Sequence, residues 1–310
     1  MTTCPECGVD VARDQRFCES CGRPLLVRRT PVGGAADRTR VDWDLGAVVG
    51  VSDVGNRRTR NEDAMAFAVV STEAGGAGPA AAVAVVCDGV ATSDRGHLAS
   101  QAAVDVACDV LLDAVLSSGA APFTIENAGS ATQEAVSGAV AVVSELADPA
   151  NPDTAPSCTF VSAVVTPGQI VVGWVGDSRA YWLAAPEGRS RRLTIDDTLA
   201  VDLIAAGVPE EVANSAPQGH ALSRWIGADA AETHARIATL RPDGPGVLLL
   251  CSDGLWNYLP ESDMLAAVVH GAAETAWAAT ESVENALDMG GHDNITAVLV
   301  PIPLDERSQR

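Results

Sequence analysis

Apolar and polar positions fall in blocks along this chain, and the sharpest block is residues 247–251, Val-Leu-Leu-Leu-Cys, which stops abruptly at Ser252, Asp253 and Gly254. An unbroken apolar run of strand length, bounded by turn formers, predicts a strand buried on both faces with Asp253 at its tip. The construction repeats. Residues 81–87 run into Asp88-Gly89, residues 170–175 run into Gly176-Asp177-Ser178-Arg179, and Asp293-Asn294 opens the apolar run 295–300. Further strands are predicted at 64–70, 159–165 and 180–183. Leu98, Ala102, Val106, Val110, Leu111 and Val115 recur at helical spacing and predict a helix over 96–116. An Ala-rich helix follows over 125–146, and two more over 261–270 and 274–289 precede the last strand.

One aspartate at a strand tip is ordinarily a turn former. Four in one chain suggest a site, because converging carboxylates repel unless something positive sits between them. Hard divalent cations, which prefer oxygen ligands, answer that need.

Composition narrows the function. With 310 residues and 47% apolar content, the chain can build one large domain plus a small appendage. A formal net charge of −21 argues against a nucleic-acid partner. No apolar run approaches the roughly 18 residues of a membrane span, and cysteines stand where a signal peptide would begin, so a cytoplasmic protein is expected. All 20 basic residues are arginine. The absence of lysine argues against Schiff-base enzymes, P-loop ATPases and protein kinases.

At the N-terminus, Cys4-Pro5-Glu6-Cys7 and Cys18-Glu19-Ser20-Cys21 are separated by ten residues. Two such knuckles have the spacing of a structural Zn²⁺ site, a zinc ribbon over 1–24; the competing reading is a pair of disulfides in a secreted protein. Cys87, Cys108, Cys158 and Cys251 lie in apolar contexts and read as small buried residues. Residues 25–44 show no periodicity, contain Arg28, Arg29, Arg38, Arg40, Pro31, Gly33 and Gly34, and are expected to be a flexible linker.

From residue 45 the motifs fall in a recognisable order: Arg58 with Asn61-Glu62-Asp63, Asp88-Gly89, Gly176-Asp177-Ser178-Arg179, Ser252-Asp253-Gly254, and Gly290-Gly291-His292-Asp293-Asn294. Any one is weak; five in register across 45–303 resemble the metal-dependent protein phosphatases of type 2C. The resemblance implies an α+β catalytic domain, a four-layer α-β-β-α sandwich of two antiparallel sheets flanked by helices. It implies two divalent cations, Mn²⁺ or Mg²⁺, with Asp88 bridging both, Asp253 and Asp293 completing one, Glu62 with the Gly89 carbonyl completing the other, and Asp63 acting through water. It further implies that Arg58 forks onto the substrate phosphate, and that a metal-activated water attacks phosphoserine or phosphothreonine directly.

Bacterial relatives of this kind often carry a third cation, for which Asp153 and Asp196 are candidates; for Asp153 a loop former among Pro149, Pro152 and Pro156 is the alternative. By the same resemblance, residues 198–215 form the flap beside the site, the Asp196-Asp197 turn leading into it is structural, and Asp177 chiefly supports the sheet. Three departures stand out: Val90-Ala91-Thr92 after Gly89, Ser157-Cys158-Thr159, and His292 before Asp293, which is either a proton donor or an ordinary exposed histidine. The expected protein is a monomer that acts on phosphorylated proteins, among them Ser/Thr kinases and their substrates, and not on nucleic acid or membranes. The alternative is a phosphatase-fold scaffold or phosphoprotein-binding module without turnover.

Overall fold

The computed structural model describes residues 2–3, 7–11, 18–21, 27–33, 38–71, 79–90, 93, 95–118, 123–151, 154–186, 188–230 and 233–303. In chain order the first strands are β1 (Thr2–Thr3), β2 (Asp10–Val11), β3 (Val27–Arg29), β4 (Arg40–Asp44), β5 (Val49–Asp53), β6 (Asp63–Ser71) and β7 (Pro79–Asp88). Helices α1 (Gly96–Ser117) and α2 (Ile125–Ser144) follow. Next come β8 (Ser157–Cys158), β9 (Phe160–Thr166), β10 (Gln169–Val175), β11 (Arg179–Ala184) and β12 (Arg191–Arg192). Short helices α3 (Leu199–Ala205) and α4 (Glu210–Asn214) lead to β13 (Ile226–Gly227), β14 (Arg236–Leu240) and β15 (Gly246–Cys251). The chain closes with α5 (Asp253–Trp256), α6 (Ser262–Gly271), α7 (Thr275–Asp288) and β16 (Ile295–Ile302).

Two six-stranded antiparallel sheets face one another, ordered β14-β10-β9-β7-β6-β3 and β12-β11-β15-β16-β5-β4. The side chains of β6 explain the layering. Met65, Phe67 and Val69 point between the sheets, where they meet Trp174, Trp182, Leu248 and Val298. Ala64, Ala66 and Ala68 point the other way, onto α1 and α2 through Ala103, Ala107, Val136 and Ala139. Large residues fill the sheet-to-sheet core and small ones let helices approach closely, so both faces of the strand are apolar. On the second sheet Val51, Leu249 and Leu299 pack outward against Leu265, Val283 and Ala286 of α6 and α7. The four layers expected from the motifs are present.

Local signals set the helix starts. Thr124 caps α2 in a reciprocal box, its hydroxyl accepting from the Asn127 amide while the Asn127 side chain accepts from the Thr124 amide. The start of α1 abuts the loop after β7: a Cβ built on Gly89 would lie 2.6 Å from the Gly96 carbonyl carbon. Only glycine permits that approach.

Residues 25–44 differ from expectation. The stretch read as a flexible linker supplies an edge strand to each sheet, β3 beside β6 and β4 beside β5. Arg29 is anchored to α1 by an ion pair to Asp109 (3.0 Å) and a bond to the Asp105 carbonyl (3.1 Å). Edge strands keep one side in water and tolerate charge, which hides their period.

Candidate active site

Strand pairing builds the site. Asp63 opens β6 and Asp88 ends β7, and the two lie directly opposite in register. Asp253 begins α5 just past the end of β15, and Asp293 sits just before β16. The two turns touch: a Cβ on Gly254 would lie 1.9 Å from the Asn294 carbonyl oxygen, so that turn too requires glycine. Neighbouring strand ends thus deliver all four carboxylates to one edge of the sandwich.

A second set of polar residues fixes them. Asp63 Oδ2 accepts from Ser252 Oγ (2.6 Å) and Thr296 Oγ1 (2.7 Å), and Thr296 bonds Ser52, which accepts from Asn61. The Asn294 side chain accepts from the Glu62 amide and donates to the carbonyls of Val54 and Arg60, locking the loop that carries Arg58 and Glu62. Gly89 N–H donates to the Glu62 carbonyl, and the Asp88 amide donates to Thr159, whose hydroxyl bonds Ser178. Thr159 and Ser178 were legible only as motif members; their pairing across 19 residues needs the fold.

Electrostatically the tip is unfinished. Asp63 Oδ1 and Asp253 Oδ1 are buried with no hydrogen-bond partner. Burial raises Asp63 to about 7, against the pull of its two hydroxyl donors and helped by the negative charge of Asp253 and Asp293. Asp253 is raised to about 6 by burial and then by Asp293. Burial and the surrounding carboxylates push Asp88 well above the ordinary range, and burial raises Glu62 as well. Asp177 is raised to about 7, by burial first and Asp253 second. That aspartate, placed in a supporting role by the motif reading, shares the cavity with the others. Its strand-end position was the signal available in the sequence.

Asp293 turns to Arg58, whose Nη2 lies 2.6 Å from its Oδ2. Among the described residues no three carboxylate oxygens at this tip fall within 4.8 Å of one another; only Cys7, Cys18 and Cys21 form such a group, with Cys7 and Cys18 sulfurs 3.5 Å apart. Cys4 and Asp153 lie outside the described residues. So do Ala91 and Thr92 of the altered loop, while Val90 N–H donates to the Ser157 carbonyl. His292 is exposed and held by the Tyr258 hydroxyl at 2.8 Å, and it does not line the cavity. The cavity itself, about 460 Å³, joins Arg58, Glu62, Asp88 and Asp253 to a wall from residues 220–229, beyond the stretch 198–215 expected as the flap, that includes His220 and Trp225.

Antiparallel sheets between helix pairs, with aspartates gathered at one edge, define a phosphatase-type sandwich. The chain belongs to the protein phosphatase 2C family, whose model matches residues 56–289. It is 33% identical over 144 residues to the serine/threonine phosphatase stp of Listeria welshimeri, covering 46% of this chain and 55% of that protein. The chain thus spans about half the length of the curated relatives it matches. Its fold is similar to the solved structure of serine/threonine phosphatase Stp1 from Staphylococcus aureus, with TM-score 0.67 and 22% identity over 82% of this chain and 94% of that one. It is also similar to the PstP catalytic domain solved with two manganese ions, with TM-score 0.56 and 23% identity over 83% and 97%.

Proposed function

We propose that this chain is a metal-dependent protein Ser/Thr phosphatase acting on phosphoserine and phosphothreonine in proteins. The observation that carries the reading is the convergence of Glu62, Asp88, Asp253 and Asp293 on one cavity, with Asp63 paired in register behind Asp88 and two buried oxygens, on Asp63 and Asp253, lacking any hydrogen-bond partner. An all-oxygen, multiply anionic donor set fits hard divalent cations, and Mn²⁺ or Mg²⁺ is the chemical match. The manganese ions of the related PstP domain support it. Asp88, Asp253, Asp293, Glu62 and the Gly89 carbonyl would hold such ions, with Asp63 supporting them through water. A third cation, with Asp153 as a ligand, is proposed from the sequence resemblance alone.

When bound, such ions supply a nucleophilic water near neutral pH and screen the phosphoryl oxygens. The chain's own groups do the rest. Arg58 exchanges Asp293 for the substrate phosphate, which its planar fork grips at two oxygens. Ser252 and Thr296 hold Asp63 in one orientation, and Asn294 holds Glu62.

With manganese the full chain is expected to hydrolyse p-nitrophenyl phosphate, with EDTA stopping the reaction and Asp253→Ala abolishing it. An inert protein that still binds manganese would replace this reading with the scaffold one. The substrates are phosphoproteins, among them those of Ser/Thr kinases that the enzyme opposes, and the setting is the cytoplasm, with the chain a monomer. Among the described residues no helix is long and apolar enough to cross a membrane. The clustered sulfurs of Cys7, Cys18 and Cys21 support one structural Zn²⁺ with Cys4 as fourth ligand. Elemental analysis of the purified chain should return one zinc, lost in Cys18→Ser.

A further inference from the structure

We infer that Trp225 and Asp229, on the wall of the cavity built by residues 220–229, form a subsite for a positively charged side chain, lysine or arginine, flanking the phosphorylated residue. The inference rests on the phosphatase reading for what occupies the rest of the cavity. Both residues line the same cavity as Arg58 and Asp88, and its volume of about 460 Å³ leaves room for a phosphorylated side chain and a neighbour.

The wall is built to hold still. Trp225 leads into β13, which pairs with β8, and β8 abuts the Asp88-Gly89 loop through the Gly89–Cys158 bridge. The Trp225 carbonyl accepts from the Thr233 hydroxyl. The indole Nε1 donates to Asp229 Oδ1 at 2.9 Å, so the N–H is already used and the ring has only its π surface and hydrocarbon edge to offer a ligand. An aromatic face beside a carboxylate attracts a cation twice, by quadrupole and by charge.

The nearby cations do not satisfy Asp229. Arg224 and Arg236 are turned to Asp197, at 3.6 and 2.7 Å, and Arg224 also donates to the His234 carbonyl. Arg58, across the cavity, pairs with Asp293. Among the described residues no ion pair reaches Asp229. A chain with a net charge of −21 further favours basic over acidic peptides.

The test compares three phosphothreonine peptides, identical except for Arg, Ala or Glu flanking the phosphothreonine, with the manganese-loaded full chain. The Arg peptide should exceed the Ala peptide about tenfold in kcat/KM, with Glu lowest. Whatever Trp225→Ala or Asp229→Asn does to the common rate, the Arg-to-Ala ratio should fall toward one, and Trp225→Phe should keep part of it. A wild-type ratio near one, a preference for Glu, or a ratio that survives both variants overturns the subsite. Should the wild type hydrolyse neither the peptides nor p-nitrophenyl phosphate, the phosphatase reading fails by itself. Binding of the same peptides by fluorescence anisotropy then decides the subsite: an Arg preference abolished by Trp225→Ala sustains it, and equal binding ends it.

Discussion

Two groups of buried carboxylates lie near the same cavity and are treated in opposite ways. Asp196 and Asp197 have cations from the protein: Arg179 reaches Asp196 at 2.6 Å, and Arg236 reaches Asp197 at 2.7 Å. The Gly176 amide adds a bond to Asp197, and Arg179 itself stacks 3.6 Å over the Trp256 ring. Asp63, Asp88 and Asp253 have no arginine of their own; only Asp293 borrows Arg58. The first group has its charge compensated by arginines of the protein, although Asp197 Oδ1 has an ion pair and no hydrogen bond. The second leaves charge uncompensated in a buried place, which folding disfavours and cation binding relieves.

The sharpest break in the comparison is Arg179→Ala. Removing one partner strands Asp196 in a nearly buried position and should cost about 3–5 kcal/mol, read by chemical denaturation. An unchanged stability would mean that Asp196 finds water or Arg192 instead. Next in size is metal addition. Mn²⁺ at a hundredfold excess over its dissociation constant should stabilise the fold by about 2.7 kcal/mol, and Asp253→Ala should lose most of that gain.

Acidity separates the groups only in part, because burial raises Asp197 as well, against the pull of the Gly176 amide and Arg236. The raised Asp63, Asp177 and Asp253 bind protons in the folded state that the unfolded chain has released, so metal-free stability falls as pH rises. The gain is fully present below about pH 4, the ordinary carboxylate value, and is lost as pH climbs through 6 to 7. Thermal melts of EDTA-treated protein should therefore drop by a few degrees between pH 5 and pH 7.5, and saturating Mn²⁺ should remove the slope. The smallest effect is Asp253→Asn, which removes one repelling charge and should raise metal-free stability by about 1 kcal/mol while abolishing turnover. A destabilised Asn variant would show that Asp253 is held by something other than cations.

The strand tips were legible in the sequence because a buried strand and the turn that ends it are both local signals. Val247 to Cys251 followed by Ser252-Asp253-Gly254 is visible at a glance, and the order of five motifs supplied the architecture. Residues 27–44 were not legible. Arg28, Arg29, Arg40 and Asp42 put charge into strands that exist only because a sheet edge is there to receive them. Strand β14, Arg-Ile-Ala-Thr-Leu, was missed for the same reason, its exposed positions obscuring an edge strand. The Trp225 wall lies outside the five motifs. Its place beside Asp88 follows from the pairing of β13 with β8, across nearly seventy residues of chain.

The edge strand β3 has a mechanical corollary. Val27 pairs with Val70 and Arg29 with Ala68, so the chain joins the sheet at the end of β6 remote from Asp63, about 20 Å from the aspartates at ~3.3 Å per residue. A partner that tugged on the cysteine-bearing leader would peel β3 from its far end, bond by bond, and the load would stop at Arg29 and its grip on Asp109. A pull entering at Val27 would therefore be resisted at the end of the sheet away from the aspartates.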